Sequence, residues 1–117
     1  MNIVALPIFP SQVRQEMAGS FIEIPFACVD RLLNPITPSA IRYRVDNLSD
    51  SVQIKDWTSI SAAQSGTITV TAAENAMTRQ WRQRQINQVT IEYTTSAGVR
   101  QETKLYELLA VYQAATS

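Results

Sequence analysis

An all-β sandwich of about six or seven antiparallel strands is the fold this sequence predicts. Three observations lead there. Apolar residues recur at every second position in several short runs, which is the period of a half-buried strand. Clusters of Asn, Asp, Ser, Gly and Pro separate those runs. One helix signal interrupts them, the capping-box spacing Thr71-Ala72-Ala73-Glu74, which predicts a short helical turn over 72–77.

The elements follow in order. Residues 1–19 read as an extended N-terminal arm, because Pro7 and Pro10 forbid a helix through its apolar part and Gly19 supplies a hinge. In 21–29, Ile22, Ile24, Phe26 and Cys28 share one face. Pro25 cannot donate a ladder hydrogen bond, so this strand is an edge or is bulged. Two prolines make 30–39 a loop. Ile41, Tyr43 and Val45 alternate with Arg42, Arg44 and Asp46 in the clearest strand of the chain. A turn at 47–51 leads to a strand carrying Val52, Ile54 and Trp57, and 59–66 reads as a loop. Ile68 and Val70 alternate with threonines, and Val89, Ile91 and Tyr93 alternate with Thr90, Glu92 and Thr94. Thr95-Ser96-Ala97-Gly98 is a hairpin turn. The closing strand, 99–112, changes apolar phase near Leu105 and Tyr106, which predicts a bulge there. The domain division is therefore arm 1–19 and sandwich 20–117. Without a Cys…Trp…Cys spacing the sandwich is not antibody-type, and an immunoglobulin-like or fibronectin III-like topology describes it better.

Composition excludes several functions. The 117 residues hold ten basic and ten acidic side chains, a balance unsuited to bulk phosphate binding. Histidine is absent, which removes the usual general base and the commonest metal ligand. One cysteine forms no internal disulfide and no zinc cluster. The apolar start is short, lacks a basic flank and is broken by proline, so it is neither signal peptide nor membrane span. Ser, Thr and Gln are abundant and charged residues make up only 17%, a surface suited to contact with other proteins.

The run Pro38-Ser39-Ala40-Ile41-Arg42-Tyr43-Arg44-Val45-Asp46 is followed by Asp56-Trp57-Thr58-Ser59 and then by 67–77. This series, with Tyr106 and Tyr112 in the closing strand, resembles small immunoglobulin-like structural proteins of tailed bacteriophages. The resemblance covers roughly residues 20–112 and leaves the arm outside. It implies a non-enzymatic virion part, assembled in the host cytoplasm, that serves as a head decoration or cement protein or as a neck or tail accessory. Its partners would be shell, neck or tail subunits and copies of itself, without membrane or nucleic acid. The alternative is a receptor- or carbohydrate-binding module on the virion surface.

Two groups of residues are candidates for partner binding. Ile3, Val4, Leu6, Ile8 and Phe9 form an apolar arm that either adds a strand to a neighbouring subunit or packs on its own sandwich as the first strand. Arg79, Trp81, Arg82 and Arg84 combine the residue types enriched in interface anchors, with a solvated loop as the plainer reading and base stacking as the remoter one. No catalytic residue, cofactor or metal site is assigned. Glu92 and Glu102 are expected to face solvent and pair with Arg100 or Lys104. With Glu107 they form no evident catalytic cleft. Asp46, Asp50 and Asp56 lack calcium-loop spacing and suit turns. Cys28 is expected in the core. Tyr43 and Tyr93 fall on the buried parity, leaving Trp57, Trp81, Tyr106 and Tyr112 as candidate exposed rings.

Overall fold

The computed structural model describes residues 14–77 and 83–110. They form seven strands in two sheets and no helix: β1 (Arg14–Met17), β2 (Ile22–Ala27), β3 (Ala40–Asn47), β4 (Val52–Ile60), β5 (Ser65–Val70), β6 (Arg84–Thr95) and β7 (Gly98–Leu109). The larger sheet has the order β1-β7-β6-β3-β4, and the smaller one pairs β2 with β5. Every pairing is antiparallel except β1 with β7, which is parallel.

Alternation decides which side chains enter the core. Ile41, Tyr43 and Val45 of β3, Val89, Ile91 and Tyr93 of β6, and Tyr106 and Leu108 of β7 are buried. They cluster with Ile22, Ile24 and Phe26 of β2, Ile68 and Val70 of β5, and Cys28. A two-stranded ribbon is at best marginal alone in water, so the β2–β5 pair depends on this shared core. Gly66 lies opposite Phe26 in that pair. A Cβ there would come 3.0 Å from Phe26 Cζ, so the glycine gives the ring its room.

Two tyrosine hydroxyls tie the layers together at opposite ends. At the upper end, beside the β6–β7 hairpin, the Tyr93 hydroxyl donates to the Val29 carbonyl (2.9 Å) and accepts from the Val29 N–H (3.1 Å). At the lower end, the wholly buried Tyr106 hydroxyl donates to Asn75 Oδ1 (2.6 Å) and accepts from Asn87 Nδ2 (3.2 Å). Asn75 in turn donates through Nδ2 to the Ser20 carbonyl (2.8 Å), and its own carbonyl accepts from the Gly19 N–H (2.8 Å). One asparagine thus joins the β1–β2 link, the segment after β5, and β7. Burial pushes the Tyr106 phenol up to about 12, so it stays neutral and keeps its proton for Asn75.

Several expectations need correction. The Thr71–Glu74 capping box forms, with Thr71 N–H donating to Glu74 Oε1 (2.8 Å) and Glu74 N–H to Thr71 Oγ1 (3.2 Å). It caps no helix. The chain closes here in overlapping turns, because the Asn75 side chain and carbonyl are drawn into the lower clamp. The expected bulge in the last strand is absent, and β7 holds one register against β6 from Gly98 to Leu109. The phase change at Leu105 and Tyr106 comes from cover instead. Residues 98–103 are exposed on both faces, whereas Tyr106, Glu107 and Leu108 are buried where β1 pairs alongside. The irregularity sits between β3 and β4, at Tyr43, Val45 and Asp46. Tyr106 is no exposed ring, since none of its surface reaches solvent. β4 runs to Ile60 and β5 starts at Ser65, which shortens the loop expected over 59–66.

The lower clamp yields a prediction. Tyr106→Phe leaves the buried Asn75 Oδ1 without the hydroxyl, and the fold should lose about 1–3 kcal/mol. A urea titration reads this as a lower midpoint with an unchanged slope.

Candidate docking surface

Most of the proposed partner-binding residues lie outside the described ones: Ile3, Val4, Leu6, Ile8 and Phe9 of the arm, and Arg79, Trp81 and Arg82. Tyr112 does too. What the structure places is the root of the arm. Residues 14–17 form β1, the outermost strand of the larger sheet. Within the expected arm, the described residues 14–17 are thus a sheet-edge strand.

Arg84 opens β6. Its guanidinium bonds Glu107 Oε2 at 2.7 Å, while Gln15 Nε2 donates to Glu107 Oε1 at 2.8 Å. Arg84 is thus occupied within the chain and fastens β1, β7 and β6 around one buried carboxylate. These two donors, Arg84 foremost, hold the Glu107 carboxyl below its usual range.

The outer face of the larger sheet carries a polar ladder that sequence reasoning only partly anticipated. The Arg42 guanidinium stacks over the Trp57 ring, 4.2 Å from its centroid, and Arg44 approaches the same ring at 5.7 Å. Arg42 also bonds Glu92 at 2.6 Å, and Gln101 Nε2 reaches the other Glu92 oxygen at 2.8 Å. Glu92 therefore pairs with Arg42, its direct neighbour across β3 and β6, and not with Arg100 or Lys104. The Arg-x-Arg spacing of β3 and the single Trp of β4 were the available signal, since strand parity puts Arg42 and Arg44 on one face. Glu102 does pair with Lys104, at 3.6 Å. Arg44 is held by Asp46 at 2.7 and 2.9 Å.

The upper end carries a cleft and two exposed leucines. The cleft, of about 420 Å³, is lined by loop 30–36 and the β6–β7 hairpin. Leu32 and Leu33 stand beside it, 75% and 73% exposed. The Asp30 carboxylate sets this loop by accepting from the Leu32 and Asn34 N–H groups, at 2.8 and 2.9 Å. Leu33 is thereby held at φ 68°, a left-handed conformation unusual for leucine.

Among the described residues, no three His, Cys, Asp or Glu side chains are grouped to hold a metal ion. Cys28 is 1% exposed. Burial first, then the charge of Glu102, pushes its thiol up and away from the reactive thiolate. No described helix is long and apolar enough to cross a membrane.

The edges of the sheets differ in what they offer another strand. Arg14 Nη1 donates to the Glu23 carbonyl at 2.7 Å, so the Glu23 backbone faces the free side of β2. Alternation then turns the nitrogen of Pro25 to the same side, where its missing N–H blunts that edge. β4 is an edge bent by its irregular register. β7 is different. Among the described residues nothing pairs with its outer side above Tyr106, and no proline interrupts it. Comparison with protein-family models, curated proteins and solved structures gives no match.

The Glu107 cluster makes the fold acid-sensitive in a defined way. A depressed carboxyl pKa contributes stability that is complete above the ordinary value of 4.5 and is lost as pH falls through the lower folded value. Glu107→Gln should flatten part of the stability decline below about pH 4.5, measured by thermal unfolding across pH.

Proposed function

We propose that this chain is a non-enzymatic docking part of a tailed-phage virion, built as an immunoglobulin-like, fibronectin III-like β-sandwich. The observation that carries the reading is the edge position of β1, which the apolar segment 3–9 precedes in sequence by only the four residues 10–13. An extended arm leaving a sheet edge is in position to add a strand or an apolar plug to a neighbour. Full burial of Ile3, Val4, Leu6, Ile8 and Phe9 would contribute roughly 1.5–3 kcal/mol each, offset in large part by the entropy of ordering the arm. The topology agrees with the sandwich reading, because the buried faces of β2 and β5 share one core with β3, β6 and β7. The resemblance of roughly 20–112 to phage structural proteins suggests the virion setting. Head decoration, cement, neck and tail accessory roles would each be served by such an attachment.

A carbohydrate-binding role draws less support. Phe21 is exposed with no described aromatic ring exposed beside it, and Trp57 is half-buried with the Arg42 guanidinium over one face. A sugar stacking on that face would have to displace the guanidinium.

The test keeps β1 and removes residues 1–13. The truncated chain should fold with a nearly unchanged thermal midpoint yet fall at least about tenfold in occupancy on the particle, equivalent to 1.4 kcal/mol of lost affinity. Quantitative mass spectrometry of purified virions, ratioed to the major shell protein, measures this. Wild-type occupancy of the truncated chain would sink the arm's role. Absence of the full chain from virions would overturn the virion reading altogether.

A further inference from the structure

We propose that the upper edge of β7 is a self-recognition site, where two copies of this chain pair antiparallel about a two-fold axis through Gln101. The proposal rests on the docking reading and names one partner for it, a second copy.

Backbone phase comes first. The Ala18 N–H donates to the Leu109 carbonyl, and the Ala110 N–H to the Gln83 carbonyl. Odd-numbered residues of β7 therefore face outward from the sheet, and even-numbered ones face β6. Val99, Gln101 and Thr103 present N–H and C=O groups along an edge that no described residue covers. Continued upward in the same phase, the β1 ladder would need an N–H from Pro10 for the Gln101 carbonyl, and proline has none.

Charge then selects the register. Arg100, Glu102 and Lys104 share the face of Tyr106 and Leu108 but are uncovered or only half-covered. With the axis at Gln101, Arg100 of each copy stands opposite Glu102 of the other, two reciprocal ion pairs at non-hydrogen-bonded positions where side chains come closest. Glu102 already has Lys104 at 3.6 Å, so Arg100 of the second copy completes a three-charge group. Val99 pairs with Thr103 and Gln101 with itself, each exchanging both backbone bonds. Neighbouring registers fail. An axis at Arg100 or at Glu102 sets like charges opposite each other. An axis at Thr103 drives the second copy's hairpin into Arg14 and β1, which occupy the edge from Tyr106 downward. The result is an isologous closed dimer with one sheet running through both copies.

The experiment uses the full chain. By sedimentation the wild type should show a reversible dimer. Arg100→Glu or Glu102→Arg alone should raise its dissociation constant about tenfold or more, and the double swap should restore it. Gln101→Cys places two thiols on the axis at a Cα separation of about 5.5 Å, within disulfide range. Oxidation should give a covalent dimer that Thr69→Cys, exposed on β5, does not form. Native Cys28 is buried and does not confuse the assay. A wild type that stays monomeric, or a double swap no tighter than the single variants, would overturn the proposal. So would a dimer that appears only after residues 1–13 are removed, which would assign the edge to the chain's own arm. These outcomes leave the virion reading untouched, because particle occupancy tests it separately.

Discussion

The structure hangs on Tyr106. Its hydroxyl is fully buried, and burial of a polar group without partners costs on the order of 1–3 kcal/mol. That penalty is avoided only while Asn75 and Asn87 stand where they do. Asn87 is itself buried and accepts from Gln85 Nε2 at 2.8 Å. The chain of dependence runs from β6 through β7 to the turn after β5, and through Asn75 to the backbone of Gly19 and Ser20. Gly19, at φ 80°, lets the chain leave β1 and enter β2 at this point. The position of the arm's root therefore follows from a hydrogen-bond network deep in the protein. Tyr93 performs a similar task at the other end, holding Val29 as β2 gives way to the leucine-bearing loop. Between these two clamps the small sheet is fixed against the large one, and apolar packing fills the space.

Much of this was written plainly in the chain. Ile41, Tyr43 and Val45, and again Val89, Ile91 and Tyr93, alternate because one face of each strand meets the core and the other meets water. Pro25 marked β2 as an edge, and its phase shows why the proline is tolerated. Cys28 followed the parity of its neighbours into the core.

Other features were illegible for physical reasons. β1 reads Arg-Gln-Glu-Met, with no apolar alternation, because it is held by backbone pairing and by Gln15 on Glu107 rather than by burial. Gln85, Asn87 and Glu107 are buried polar residues, and periodicity in hydrophobicity is blind to them. Their signal exists only as partners in three dimensions. The capping box at Thr71 misled in the opposite sense. Its local bonds form, yet a tertiary bond competes for Asn75 and stops the helix before it starts. The apparent phase break in β7 was real in the burial pattern and wrong in its cause, since cover ends while the ladder continues.

That last point connects architecture to attachment. Among the described residues, a twelve-residue strand is paired along its whole length on one side but on the other only over the four residues opposite β1. Strands left bare in this way invite aggregation unless something limits them. β2 is limited by Pro25, whereas β7 is limited by Arg100, Glu102 and Lys104, charges placed on its inward face. Proline forbids every partner, but charges forbid only those that do not match. An edge guarded by a pattern of alternating sign accepts a strand bearing the complementary pattern and rejects others. The sequence Arg100-Gln101-Glu102 is complementary to itself when reversed, so the copy nearest to hand already meets the condition.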